Sequence, residues 1–169
     1  MARSPSESKK RRLFVLAAAL LLSSVTALAE EHWSTYGNAR FGVFVDYPAS
    51  LFTVEDAPPE NGDGQSFHTA DGKAALAVWG GYNIDNETPA AYLQDKTDLT
   101  GVSYQKAGRD FYAISGRRDG ATFYQRCNFP KGDVIACFNL SYPEADKAKW
   151  DEIVKRIGQS LRTAPVHTR

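Results

Sequence analysis

One stretch of the chain, residues 111–161, constrains the fold more than any other. Two β-rich runs, Ala121–Phe129 and Val134–Tyr142, flank the turn-forming sequence Pro130-Lys131-Gly132-Asp133 and predict a β-hairpin. Pro143 follows at the predicted first position of a helix, which its fixed φ suits. On this helix the apolar residues recur at helical spacing: Trp150, Ile153, Val154, Ile157 and Leu161. A hairpin followed by such a helix predicts a helix that packs on a sheet.

The last predicted strand is apolar on both of its faces. One face carries Val134, Ala136, Phe138, Leu140 and Tyr142. The other face carries Ile135 and Cys137, next to Asn139 and Ser141. We therefore expect helices on both sides of the sheet, because a water-facing side would be polar throughout. Mostly sequential antiparallel strands with two helices predict an α+β domain.

The residues before this unit add further elements. Phe41–Tyr47 is rich in β-formers and predicts a strand. The Asp71-Gly72 pair lies between two predicted strands, Ser66–Thr69 and Ala74–Gly80, and is a strong hairpin signal. Thr88 and Pro89 predict the N-cap and the first residue of a helix.

The first 29 residues have the order of features that is typical of a cleaved signal peptide. A basic segment, Lys9-Lys10-Arg11-Arg12, precedes the apolar run Leu13–Leu22 and the small-residue cleavage motif Ala27-Leu28-Ala29. The apolar run is too short for a membrane span, so we expect no stable membrane anchor after cleavage. Cleavage leaves residues 30–169, the size of a single domain, and predicts a periplasmic or secreted protein.

Removal of the signal peptide changes the charge balance. The whole chain has 20 basic and 20 acidic residues, of which the first 29 residues contain five and one. Residues 30–169 therefore contain 15 basic and 19 acidic residues, a net charge of −4. An acidic surface repels nucleic acid and anionic lipid, so neither is an expected partner.

The two cysteines lie opposite each other in the predicted hairpin. If Cys127 pairs with Cys137, Gln125 pairs with Asn139, and both sulfur atoms lie on one face at cross-strand distance. An exported protein favours a structural disulfide over free thiols. The alternative is a redox-active pair, but the chain lacks the Cys-x-x-Cys spacing of such pairs.

Three arginines and two aromatic residues are the candidates for contact with a ligand. Arg117, Arg118 and Arg126 belong to the central predicted strands. A partly buried guanidinium needs a carboxylate or carbonyl partner inside the protein, or an anionic ligand, and an internal partner is the commoner outcome. Trp79 and Tyr82 could stack on a glycan or a peptide, although aromatic residues in strands are more often core residues.

No residue pattern predicts a metal or cofactor site. Glu60, Asn61 and Asp63 supply oxygen atoms among glycines, as calcium loops do. They lack the EF-hand spacing and its closing glutamate, so a solvated acidic loop is the favoured interpretation. We expect no bound metal and no cofactor.

Ser66 and His68 support a rival, catalytic hypothesis. His68 lies away from both ends of the mature chain, and residues two apart on a strand share a face. A small hydrolase would use Ser66 as nucleophile and His68 as base, with Asp71 as a distant orienting group. A histidine in an exposed hairpin is usually solvated. A non-enzymatic binding or accessory domain is therefore the favoured hypothesis, because of the signal peptide, the expected disulfide and the missing catalytic set. An envelope-structural or host-directed protein is the third.

The start of the mature chain resembles a known group of proteins. Tyr36–Pro48, YGNARFGVFVDYP, is similar to the opening strands of small exported proteobacterial proteins with no assigned function. The Pro58–Gly64 loop and the Tyr142-Pro143 step are similar too. The resemblance implies a Mog1/PsbP-like α/β/α sandwich, a fold whose members act as binding or assembly modules. No functional residue of those proteins can be matched here, and the expected partner is a protein or small ligand of the cell envelope.

Overall fold

Two antiparallel sheets and two α-helices make up the part of the chain that this computed structural model describes, residues 31–130 and 133–164. The elements in chain order are β1 (Trp33–Asn38), β2 (Val43–Pro48), β3 (Val54–Glu55), β4 (Gly64–His68), β5 (Ala75–Tyr82), α1 (Pro89–Asp95), β6 (Val102–Ala107), β7 (Phe111–Arg118), β8 (Ala121–Asn128), β9 (Val134–Pro143), α2 (Lys147–Ser160) and β10 (Arg162–Thr163). Neither helix within these ranges is long and apolar enough to cross a membrane. The predicted signal peptide, residues 1–29, lies outside the described residues.

The larger sheet has seven strands in the order β3-β4-β5-β9-β8-β7-β6, and neighbouring strands are antiparallel throughout. Strands β6 to β9 form a meander, and β9 returns to pair with β5. The smaller sheet has the order β1-β2-β10. In the hairpin between β4 and β5, Gly72 has a φ of 67°, which glycine adopts without the strain that a Cβ would cause.

One face of the larger sheet carries the main hydrophobic core. The predicted stripe on α2 is buried, and its residues are Trp150, Ile153, Val154, Ile157 and, directly after the helix, Leu161. They pack with Ala136, Phe138, Leu140 and Tyr142 of β9 and with Val43 and Val45 of the smaller sheet. Full burial of each large aliphatic side chain contributes about 1.5–3 kcal/mol. A layer formed by α2 and the smaller sheet therefore covers this face, here called the α2 face.

The short helix α1 covers part of the opposite face, here called the α1 face. Thr88 caps the helix by accepting a hydrogen bond from the backbone N–H of Ala91 at 3.2 Å, and Pro89 begins it, as predicted. The second core cluster consists of Leu93, Tyr112, Ile114, Phe123, Cys127, Ile135 and Cys137. The two faces of β9 thus enter two different cores, which confirms the predicted α+β fold with helices on both sides of the sheet.

A disulfide joins Cys127 to Cys137 in the hairpin of β8 and β9. The register pairs these two residues, and Gln125 with Asn139, as predicted. Both cysteines are buried in the second core cluster, so the bond is part of the packed structure. A loop of this length contributes about 3 kcal/mol in the chain-entropy account of disulfide stabilisation. Lys131 and Gly132 of the predicted turn lie outside the described residues.

The prediction that a helix begins at Pro143 is wrong. Pro143 is the last residue of β9 and pairs with Ala121, with φ −63° and ψ 135°. The φ that proline imposes occurs both in helices and in extended chain, so ψ decides between them, and pairing with β8 keeps Pro143 extended. A 3₁₀ turn, Glu144–Asp146, follows before α2 begins at Lys147.

Candidate ligand site

Arg126 lies on the α2 face of β8, beside the last turns of the covering helix. It pairs across the sheet with Phe138 of β9 and with Ala113 of β7. A Cβ placed on Gly158 of α2 would be 3.8 Å from Arg126 Cδ, so the helix passes directly over the arginine stem. Arg126 is partly buried and lies at the edge of the main core.

Two neighbours hold the Arg126 side chain in one position. Its guanidinium carbon lies 4.2 Å from the centre of the Phe111 ring, and its Nε donates a hydrogen bond to Asn128 Oδ1 at 2.7 Å. Asn128 is fixed in turn, because its Nδ2 donates to the carbonyl oxygen of Leu161 at 3.1 Å. A cation over an aromatic ring contributes about 0.5–2 kcal/mol, depending on its exposure. The guanidinium is therefore oriented before any ligand arrives.

The hydrogen bond to Asn128 uses one of the five N–H groups of the Arg126 guanidinium. It provides the internal carbonyl-type partner that a partly buried arginine is expected to have. Within the described residues, the four N–H groups on the two terminal nitrogens donate no hydrogen bond, and Arg126 forms no ion pair. Most of the hydrogen-bonding capacity of this side chain is thus open to the space beside it.

Two open cavities flank Arg126. One has a volume of about 200 Å³ and extends towards Asp110 and Phe129. The other has a volume of about 520 Å³ and extends along α2, past Tyr124 and Gly158. Arg126, Asn128 and Leu161 line both cavities, so the two cavities lie on either side of these three residues. We call the two cavities together the Arg126 groove; the volume of the larger one lies within the range of known small-ligand sites.

The other charges beside the groove are largely engaged. Asp151 lines it from α2 and is paired with Lys147 at 2.7 Å. Arg162 lines the smaller cavity and is paired with Asp46 at 3.2 Å. Lys155 also lines the larger cavity and lies 3.9 Å from Glu152 at the exposed surface of α2. Arg126 differs from these charges because an aromatic ring and an amide hold it in one orientation.

The structure does not bring the three candidate arginines together. Arg117 lies on the same face of the sheet as Arg126, but it forms an ion pair with Glu144. Arg118 lies on the opposite face and is paired with Asp98 at 3.1 Å. Both have acidic partners at their own end of the sheet, so among these three Arg126 is the one without an ion pair in the described part of the chain.

The two candidate aromatic residues lie apart from the groove and from each other. Trp79 is on the α1 face, pairs with Cys137 and packs against the second core cluster. Tyr82 is on the α2 face, is 55% exposed and contacts Phe41 with 4.9 Å between ring centres. Neither ring lines the Arg126 groove.

Ser66 and His68 share a face of β4, as expected from strand alternation, but no hydrogen bond joins their side chains. His68 Nε2 instead lies 2.8 Å from Asp56 Oδ2. Asp71, the expected orienting group, accepts hydrogen bonds from the Thr69 hydroxyl and from a backbone N–H of its own turn, which lower the pKa of Asp71 to about 2. A serine without a base in hydrogen-bond reach is not activated as a nucleophile.

In the acidic loop between β3 and β4, two of the candidate oxygen ligands form hydrogen bonds with each other. Asn61 Nδ2 donates to Asp63 Oδ2 at 2.7 Å. No group of three or more histidine, cysteine, aspartate or glutamate side chains is placed to hold a metal ion within residues 31–130 and 133–164.

The sequence indicates Arg126 as a candidate, but the residues that surround it in the structure were not predicted. Asn128 is two residues further along the strand, so alternation alone places it on the same face as Arg126. Phe111 pairs with Asn128, which follows only from the register of β7 with β8. Gly158 interrupts the apolar stripe of the predicted helix, and a glycine inside a helix is less favourable than alanine, so the sequence marks this position as unusual.

No protein-family model and none of the curated proteins matches this chain. Among solved structures it is similar to cyanobacterial PsbP (CyanoP) from Synechocystis sp. PCC 6803, with a TM-score of 0.60 and 15% sequence identity over 85% of this chain and 99% of that chain. The chain has a PsbP-like fold. A Bacteroides thetaiotaomicron structure matches with a TM-score of 0.48 and 14% identity over 81% of this chain and 50% of that chain. The PsbP-like fold expected from the sequence is confirmed, and at such low identity the likeness concerns the fold alone.

Proposed function

We propose that this chain is a non-enzymatic binding or accessory domain that acts in the periplasm or outside the cell. The observation that carries the proposal is the Arg126 guanidinium, which Phe111 and Asn128 orient while its terminal amino groups open onto a groove. Asn128 satisfies Nε alone, and no acidic side chain of the described residues pairs with the two terminal nitrogens, which leaves these donors to a ligand. Recognition of an anionic group is the role for which a fixed guanidinium is best suited.

The lack of an assembled catalytic pair supports a non-enzymatic role. Among the described residues, no base forms a side-chain hydrogen bond with Ser66, and His68 is engaged with Asp56. The fold that the chain shares with cyanobacterial PsbP also supports an accessory role, and this argument is an analogy of fold alone.

Two features support export. The first 29 residues have the basic, apolar and small-residue segments of a signal peptide in the required order. The Cys127–Cys137 disulfide is typical of oxidising compartments such as the periplasm or the medium.

Comparative capture tests the binding role. The mature protein, Arg126→Ala and Arg156→Ala are immobilised and exposed to the envelope extract and medium of the encoding organism, and bound proteins and small molecules are identified by mass spectrometry. Arg156 is the matched control because it also stacks on an aromatic ring, Trp33 at 3.8 Å, but lies outside the groove. We expect a ligand that the wild type and Arg156→Ala retain and Arg126→Ala loses. Identical capture by all three proteins would reject the groove as the binding site.

Mass analysis of the mature N-terminus tests export. We expect the protein in the periplasm or medium to begin at residue 30, because cleavage follows Ala27-Leu28-Ala29. Intact Met1 on protein from the cell envelope would contradict the soluble, exported form.

A further inference from the structure

Gly158 occupies a position in α2 where neither the backbone nor the packing requires glycine. It lies inside the 14-residue helix, where glycine is less favourable than alanine. A Cβ at this position would lie 3.7 Å from Phe138 Cζ and 3.8 Å from Arg126 Cδ, both ordinary van der Waals distances. The helix therefore gives up some stability at a point where a side chain would fit.

The missing side chain enlarges the Arg126 groove. Gly158 lines the larger cavity, with Tyr124 on the strand side and Val154 one helical turn away. A long side chain at position 158 would project into this space, next to the Arg126 stem. Gly158 and the open guanidinium therefore lie side by side in the lining of the same groove.

We propose that the Arg126 groove binds an organic carboxylate, with the carboxylate on the two terminal nitrogens of Arg126 and the body of the ligand over Gly158. This inference rests on the proposed binding function and names the chemical class of its ligand. The Nε of Arg126 is already bound to Asn128, so the ligand approaches the guanidinium end-on. The two coplanar oxygens of a carboxylate match the two terminal nitrogens in that approach.

The walls of the groove favour an organic carboxylate over an inorganic anion such as phosphate. Asp110 and Asp151 line the two cavities, but Lys155 and Arg162 line them too, and Asp151 is paired with Lys147. The lining charges therefore do not select between one and two negative charges on the ligand, and the selectivity comes from the contacts of the ligand body. The aromatic and aliphatic walls, Tyr124, Val154 and Leu161, suit an apolar ligand body.

Nuclear magnetic resonance titration tests the ligand class. Exported protein labelled with ¹⁵N is titrated with benzoate, with neutral benzamide and with inorganic phosphate, while the Arg126 Nε–Hε and Gly158 amide signals are followed. We expect saturable shifts of both signals with benzoate, none with benzamide, and at least tenfold weaker binding of phosphate. Equal responses to benzoate and benzamide, or tighter binding of phosphate, would overturn the carboxylate assignment.

A peptide source of the carboxylate is distinguished from a small molecule in the same assay. N-acetyl-Ala-Ala-Phe with a free carboxylate is compared with its C-terminal amide and with benzoate. Tighter binding of the free-acid peptide than of benzoate supports a protein terminus as the ligand, and tighter binding of benzoate supports a small carboxylate. Equal binding of the acid and the amide peptides, without a response to benzoate, would overturn the proposal.

Variants test the position of the ligand. Arg126→Gln and Gly158→Leu should each weaken benzoate binding at least tenfold, the first by removing the cation and the second by filling the groove. Arg156→Gln should bind as the wild type does, and far-UV circular dichroism shows that each variant is folded. Benzoate binding by Gly158→Leu at wild-type affinity would reject the ligand body over this residue. Arg126-dependent capture without benzoate binding would reject the ligand class alone, and benzoate binding without Arg126-dependent capture would reject the proposed function alone.

Discussion

Replacement of Trp150 by alanine should be among the most destabilising single changes in the described part of the protein. The Trp150 side chain is buried, with 4% of the residue exposed. Its ring stacks on Tyr142 with 5.6 Å between ring centres and lies 5.9 Å from Phe52. This one side chain therefore connects α2 to β9 and to the segment that follows β2.

The magnitude follows from the surface that Trp150 removes from water. A buried aromatic side chain covers about 150–250 Å², which at about 25 cal/mol/Å² corresponds to about 4–6 kcal/mol. Truncation of buried Trp or Phe to alanine typically costs about 3–5 kcal/mol, and we expect a loss in this range for Trp150→Ala. Native proteins have total free energies of unfolding of about 5–15 kcal/mol, so the expected loss is a large fraction of the total. Trp150→Phe keeps a ring in place and should lose about 1–2 kcal/mol, which preserves the test if the alanine variant does not fold.

Urea unfolding followed by far-UV circular dichroism measures these losses without relying on tryptophan fluorescence. Glu152→Ala is the control, because its side chain is 81% exposed and its loss should stay below about 0.5 kcal/mol. Lys149→Ala should fall between the two, since the Lys149 ammonium lies 5.6 Å from the centre of the Trp150 ring and contributes up to about 1 kcal/mol. If Trp150→Ala lost no more than Glu152→Ala, α2 would not dock on β9, and the core and the groove beside it would both be misplaced.

Three further predictions concern the disulfide, the rival catalytic site and the alkaline limit of stability. Cys127→Ala combined with Cys137→Ala should lower the free energy of unfolding by about 3 kcal/mol in urea, and a loss near zero would contradict a structural disulfide. His68→Ala should leave the hydrolysis of p-nitrophenyl acetate unchanged, whereas lost turnover with an intact fold would favour the hydrolase hypothesis. Burial raises the pKa of the Tyr112 hydroxyl above 10.0, so its stabilising contribution is present below about pH 10 and is lost as the pH rises through the folded-state pKa. Tyr112→Phe should therefore flatten the decline in stability above about pH 10, measured by urea unfolding, and an unchanged decline would show that other groups cause it.

The elements of the fold could be predicted where their signals are local. Alternation along β9 and helical spacing along α2 depend only on neighbouring residues, so both faces of the strand and the buried stripe followed from the sequence. The pairing of β9 with β5 joins segments that are far apart in the chain, and no local pattern encodes it. The start of α2 was predicted wrongly because it too depends on strand pairing. Pro143 stays extended because it pairs with Ala121 of β8.

The candidate site was predictable to a smaller extent. Arg126 could be selected because a guanidinium on a strand beside apolar residues needs a partner. The groove itself depends on tertiary contacts: Phe111 reaches Arg126 through the register of β7, and Gly158 reaches it through the docking of α2. Trp79 and Tyr82 had the right chemistry for a ligand, but the sheet separates them onto opposite faces.

The position of the groove follows from the dimensions of the layers. Seven strands about 4.8 Å apart span about 29 Å between the outer strands, whereas one helix with its side chains is about 10–12 Å wide. Helix α2 and the smaller sheet therefore cover only part of the α2 face, and β6 beyond β7 is largely exposed. Arg126 on β8 lies where this cover ends, which is why its stem is packed while its terminal nitrogens are open. The layers thus create a groove at this boundary in the fold, and the side chains there determine what it binds.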